Sequence, residues 1–175
     1  MAAAATAAAV ALVSGCSASS SSGEGDGGGP PTAGVTPTDA NLRVAFIGDQ
    51  GLGPDSVAVL QLIADEGADF VVHNGDFDYA DDPDAWDQQI NDVLGADYPY
   101  FATIGNHDVQ EWEGYRAKIE ERIARIDGAV CTGDEMGVVS ACTYRGLFMV
   151  LSGVGTYGFM DGDIPHVELN ALLDG

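Results

Sequence analysis

The sequence predicts an α/β domain with a largely parallel sheet, and three observations lead there. Short apolar runs alternate with segments of helical periodicity from residue 41 onward. Three of these runs are followed closely by a glycine and an oxygen-bearing side chain, in Gly48-Asp49-Gln50-Gly51, Gly75-Asp76-Phe77-Asp78-Tyr79 and Gly105-Asn106-His107-Asp108. The loops are evenly spaced, with 27 positions from Asp49 to Asp76 and 30 from Asp76 to Asn106, the length of a strand–helix repeat. Parallel strands that step across a sheet bring their carboxyl ends to a common edge. Oxygen ligands at these three positions are therefore expected to converge.

The elements follow in order. Leu42 to Ile47 reads as a buried strand, and a glycine-bearing loop runs from it to Pro54. Asp55 or Ser56 is placed to cap a helix carrying Val57, Leu60, Ile63 and Ala64, stopped near Gly67. Asp69 to His73 is the second strand, with the His73 side chain beside the sheet. Pro83 suits the first turn of a helix that turns Trp86, Ile90, Val93 and Leu94 inward and ends at Gly95. Pro99 to Ile104 is the third strand. Trp112 to Ile126 has helical spacing at Tyr115, Ile119, Ile123 and Ile126. Val138 to Tyr144 and Leu147 to Ser152 read as strands, and Val167, Leu169, Leu172 and Leu173 as a short helical pattern. Asp78, Asp81, Asp82, Asp84 and Asp87 read as a solvated acidic run before a helix.

At 175 residues and 46% hydrophobic content the chain fits one domain with a core. It carries 28 acidic residues against 6 basic ones, a formal net charge of −22, and Lys118 is its only lysine. Such a polyanion repels nucleic acid and anionic lipid, which argues against electrostatic binding of either. A surface adapted to high salt accounts for most of the carboxylates and leaves few for chemistry.

The domain is preceded by segments of different character. Ala2 to Val13 is an apolar, Ala-rich run, too short for a transmembrane helix and of the length of an export-signal core. It leads into Leu12-Val13-Ser14-Gly15-Cys16, which resembles the lipobox of prokaryotic lipoproteins, in which the Cys is lipidated. No Lys or Arg precedes the run, so either the start lies upstream or the signal is atypical; the competing reading is an Ala-rich helix with an incidental Cys. Residues 17–40, rich in Ser, Gly, Pro and Thr, read as a flexible tether. The expected organisation is thus a signal over 1–16, a tether over 17–40 and a domain over 41–175. It places the protein outside the cell, at the surface, with a lipid anchor as its sole membrane attachment. Export favours a disulfide between Cys131 and Cys142 across a hairpin-like excursion, over two free buried thiols.

Asp49 and Asp76 are carboxylates at strand ends, next to glycines that let the backbone turn sharply. Paired hard oxygen ligands suit Fe, Mn, Mg or Zn, and in two-metal hydrolases a shared carboxylate can bridge both ions. Asn106 adds an amide oxygen. His107 is expected to face the substrate, with Asp108 fixing its tautomer.

Taken together, Gly-Asp, Gly-Asp and Gly-Asn-His-Asp in this order resemble the calcineurin-like metallophosphoesterase superfamily. The resemblance implies an α/β/β/α sandwich with strand-end metal loops. Most members carry Asp-x-His in the first motif, whereas this chain has Asp49-Gln50-Gly51. A tyrosine stands three residues after the Asp of the second motif, as Tyr79. Both departures resemble purple acid phosphatases, in which that tyrosine ligates iron(III). The resemblance implies that Asp49 and Tyr79 hold a first metal ion, Asp76 bridges two, and Asn106 holds the second. The ions implied are iron with iron, zinc or manganese. It further implies His107 as a phosphate contact and general acid, with a metal-bound hydroxide attacking a phosphate-ester substrate. The family pattern also has three later histidines, two of them in Gly-His-x-His. This sequence has only His73, His107 and His166, which match none of them. The sequence is therefore read as the N-terminal portion of such a domain. The alternative function is a non-catalytic surface lipoprotein that keeps the scaffold as a binding or structural module.

Overall fold

The computed structural model describes residues 11–14, for which the backbone alone is considered, together with 41–154 and 156. Cys16, the tether, His166 and the helical pattern from Val167 to Leu173 lie outside the described residues.

Two sheets and three helices make up the described structure. The first sheet has the order β1-β2-β3-β4, from Ala11–Ser14 (β1), Arg43–Ile47 (β2), Phe70–Asn74 (β3) and Tyr100–Thr103 (β4). β2, β3 and β4 are parallel, with Val44 opposite Phe70 and Val71 opposite Tyr100. β1 lies antiparallel on the outer side of β2, Ala11 opposite Phe46, so part of the apolar N-terminal run forms an edge strand. The second sheet is an antiparallel meander of Val130–Glu135 (β5), Val139–Tyr144 (β6) and Leu147–Ser152 (β7).

β2, β3 and β4 are largely apolar because both of their faces are covered. Ala45, Ile47, Val71, Tyr100 and Ala102 belong to a core shared with Leu60 and Ile63 of helix α1 (Pro54–Asp65), Trp86 and Ile90 of α2 (Pro83–Val93), and Tyr115 and Ile119 of α3 (Trp112–Arg125). Their neighbours Val44, Phe70, Val72 and Phe101 face the opposite way, onto Cys142 and Leu151 of the second sheet. This two-residue alternation produces three layers, helices on sheet on sheet. The fold is mixed α/β, with β2, β3 and β4 parallel as the alternation of strands and helices predicts.

Helix starts follow their local chemistry. α1 begins with Pro54 rather than at Asp55 or Ser56, and Gly53 is its N-cap. Proline's fixed φ and missing N–H suit the first helical position, so the Ser56 hydroxyl is left to donate to the Gly53 carbonyl at 2.6 Å. α2 combines Pro83 at its start with Asp82 as N-cap, whose carboxylate accepts from the Ala85 amide at 3.0 Å. Gly67 and Gly95 follow α1 and α2 with φ of 65° and 100°, a conformation that glycine adopts without a β-carbon penalty.

Cys131 and Cys142 stand directly opposite each other on β5 and β6 and are joined by a disulfide, with a Cα–Cα distance of 4.1 Å. β5 was not among the strands read from the sequence. Its side chains are mostly exposed, so it lacks the apolar alternation that marks a half-buried strand. By the loop-closure argument, reduction of this disulfide is expected to cost about 2–3 kcal/mol. The measurement is the urea midpoint with and without reductant; coincident midpoints would refute the expectation.

Candidate metal centre

The three loops meet at the carboxyl edge of the parallel strands. After β2 the chain continues its pairing beyond the last strand residue. The amides of Asp49, Gln50 and Gly51 donate in turn to the carbonyls of Gly75, Asp76 and Phe77, at 3.2, 3.0 and 2.9 Å. The first loop is thereby laid along the second. The second and third loops meet through glycine backbones. A β-carbon on Gly105 would collide with the amide nitrogen and the carboxylate of Asp76, and one on Gly75 would collide with the Gly105 backbone.

Asp108 locks this junction. It is 1% exposed. One carboxylate oxygen accepts from the amides of Asp76 and Gly105 at 2.9 and 2.7 Å, and the other from the amide of Phe77 at 2.9 Å. Burial pushes its carboxyl up to about 6, against the pull of the three amides toward the charged form. Its observed partners are thus backbone groups of the second and third loops, in place of the expected contact with His107. The physical reason is that three amides directed at one point form a stronger binding site for a carboxylate than one exposed imidazole.

On the solvent side of this junction stand the predicted ligands. The Tyr79 phenol donates to Asp49 Oδ1 in a very short contact, and its oxygen lies 3.4 Å from Asp76 Oδ2. The other oxygen of Asp76 accepts from the His107 amide at 3.0 Å. Burial, followed by the hydrogen bond to Asp49 and the charge of Asp76, holds the Tyr79 phenol well above its usual range. The His107 ring stands over the Tyr79 ring, with centroids 4.7 Å apart. Asn106 is exposed on the same loop, between Gly105 and His107. Asp49, Asp76, Tyr79 and His107 are therefore brought together, with Asn106 at the rim.

Beneath the loops lies a polar network that the sequence reading did not assign. Gln50 is buried, accepts from the Tyr100 hydroxyl at 2.9 Å and donates to Gln89 at 2.7 Å. His73 is fully buried, its Nδ1 2.8 Å from the same hydroxyl. Burial lowers its pKa to about 3, so the ring is neutral. The chain Gln89–Gln50–Tyr100–His73 ties the residue after Asp49 to β3 and α2. Its only sequence signal is a glutamine where the loop leaves the strand, too common a residue to stand out.

The donor set can be tested against a metal on its chemistry. Two carboxylates and a phenol, all oxygen, touch one another, and a single phenol proton lies between two acidic groups. That is a hard-cation donor set, and deprotonation of Tyr79 on binding would supply a third anionic oxygen. Among the described residues no three His, Cys, Asp or Glu side chains form a metal-binding group, so the fit depends on Tyr79 and Asn106 beside the two aspartates.

Comparison with curated proteins gives no match, and neither does comparison with solved structures. The sequence profile of the calcineurin-like phosphoesterases matches residues 42–172, a span that includes all three loops. Since this span is well over half of the chain, the protein belongs to the calcineurin-like phosphoesterase family, metal-dependent phosphoesterases that typically bind two metal ions.

Proposed function

We propose that the protein is an exported, surface-anchored phosphatase of the purple acid phosphatase type. The observation that carries this reading is the contact of the Tyr79 phenol with both Asp49 and Asp76. A tyrosine in that place, with Gly51 where most members have a histidine, sets this centre apart from the common pattern. Asp49 and Tyr79 would hold the first ion, Asp76 would bridge, and Asn106 would belong to the second. When bound, the ions supply Lewis acidity that polarises the phosphate and activates a water.

This chain's own residues would do the rest. The Asp76 carboxylate is held from behind by its own amide on Asp108, and from the side by the His107 amide. It therefore presents one oxygen to the centre at a fixed angle. His107 is exposed at the rim, where its ring faces a substrate that approaches over Tyr79. Water adds to phosphorus as the ester P–O bond breaks; the departing alkoxide takes a proton from His107 and leaves as the alcohol, and the proton given up by the attacking water restores His107. The lipid anchor at Cys16 would keep this chemistry at the cell surface.

The test is turnover of p-nitrophenyl phosphate by the full-length gene product. A chelator and Asp76→Asn are each expected to abolish it, and His107→Ala to slow hydrolysis of an alkyl phosphate by about 10²–10⁴-fold, as for loss of a general acid, with a smaller loss on p-nitrophenyl phosphate, whose phenolate departs without a proton. Turnover indifferent to both chelator and Asp76→Asn would sink the proposal. With ferric iron bound, a visible charge-transfer band lost in Tyr79→Phe is expected; no band in the unsubstituted iron-loaded protein would argue against the tyrosine ligand.

A further inference from the structure

The geometry points to Asp78 as the positioning residue for Tyr79: its buried carboxylate, gripped by three successive loop amides, fixes the turn from which the phenol reaches Asp49 and Asp76. The inference rests on the reading of Tyr79 as a metal ligand.

Asp78 does not belong to the solvated acidic run in which the sequence placed it. It is 4% exposed. One of its oxygens accepts from the amides of Ala80 and Asp81 at 2.8 and 3.0 Å, and the other from that of Asp82 at 3.1 Å. The Tyr115 phenol of α3 stands beside this carboxylate, and burial, followed by the influence of Asp78, raises its pKa. Asp82, the last residue of this grip, is also the N-cap of α2. The turn is thus fastened to α2 through the backbone.

The loop requires such fastening. Asp76, Tyr79 and Asp81 have φ of 58°, 59° and 56°, left-handed conformations occupied here without glycine. Side chains with a β-carbon disfavour that region, so the turn persists only where surrounding contacts over-determine it. Tyr79 is 42% exposed, and packing on its ring is therefore partial. What directs the phenol is the backbone beneath it, and that backbone is pinned on both sides. Phe77 is buried and stacked on Trp86 with centroids 4.6 Å apart. Asp78 supplies the second pin, from which Tyr79 projects outward.

The experiment is a double-mutant cycle on the full chain, with Zn²⁺ affinity read by competition with a chromophoric chelator. Asp78→Asn offers one acceptor oxygen where the carboxylate offers two, and its NH₂ faces amides that need an acceptor. Tyr115→Phe keeps the ring and removes only the hydroxyl beside Asp78, so it covers the case in which Asp78→Asn fails to fold. Tyr79→Phe is expected to weaken Zn²⁺ binding, and Asp78→Asn and Tyr115→Phe to weaken it by about 10–100-fold, the range for residues that orient a ligand. In the Tyr79→Phe background neither substitution should weaken it much further, because the side chain they position is already gone. Equal losses in both backgrounds, with Tyr79→Phe itself harmful, would overturn the positioning role and leave the metal reading intact. Zn²⁺ affinity unchanged by Tyr79→Phe and by Asp76→Asn would overturn both.

Discussion

Asp108→Ala is expected to lower folding stability by about 3–5 kcal/mol, the range for removing one partner from a buried, charged hydrogen-bond network. It should also abolish metal binding. The substitution leaves the amides of Asp76, Phe77 and Gly105 facing a cavity where a carboxylate had accepted all three. Each buried donor left without a partner costs about 1–3 kcal/mol, and entry of water recovers part of that. The glycine contact between Gly75 and Gly105 is too close for the loops to shift together and close the space. Loss of the lock therefore separates the second loop from the third and moves Asp76 away from Asn106 and His107. Asp108→Asn should be milder, since its amide oxygen retains one acceptor while its NH₂ opposes a backbone N–H. Urea denaturation gives the stability change, and Zn²⁺ titration under folding conditions gives the effect on the site. A loss below about 1 kcal/mol, the net worth of an ordinary hydrogen bond, would show that the lock is not what holds the loops together.

The loops themselves were legible because each marks a transition that sequence records directly: an apolar run covered on both faces, then glycine, then an oxygen-bearing side chain. Trp86 and Ile90, like Tyr115 and Ile119, stand at helical spacing and enter the core as their periodicity requires. What could not be read were carboxylates whose partners are backbone amides. Every residue except proline has such an amide, so nothing in a sequence marks the three that surround Asp108 or the three that surround Asp78. Asp78 was grouped with Asp81 and Asp84 because neighbouring aspartates look alike in a sequence. The difference is one of burial: Asp78 is enclosed and accepts from three amides of its own turn. β5 was missed for the opposite reason: its strand state comes from pairing with β6 and from the Cys131–Cys142 bond, with little apolar signal of its own.

Arg122→Ala is the second large effect expected, a loss of about 3–5 kcal/mol from breaking a buried ion pair, and it separates stability from the metal centre. Arg122 is 1% exposed on α3. Its Nε lies 2.7 Å from Asp87 Oδ1, and its Nη2 donates to Asn91 Oδ1 at 2.6 Å and to the Asp87 carbonyl at 3.0 Å. The guanidinium also lies over the Tyr100 ring, 5.7 Å from its centroid. The pairing is imperfect: Nη1 is buried without a partner, and the Nε contact is close in distance without the angle of a hydrogen bond. Part of what Arg122 contributes is therefore its aliphatic stem and flat head filling the space between α2, α3 and Tyr100. Arg122→Met removes the same charge and keeps much of that volume, so it should cost less than Arg122→Ala by about 1–3 kcal/mol, the usual scale of a packing deficit. Tyr100 connects this cluster to Gln50 and so to the first loop. Even so, Asp49 is held mainly by the three backbone bonds from its own loop to residues 75–77. Zn²⁺ affinity in the folded Arg122→Met protein should accordingly remain within a few-fold of the unsubstituted value. A drop as large as that of Asp78→Asn would mean that the buried network, rather than the backbone ladder, sets the position of Asp49.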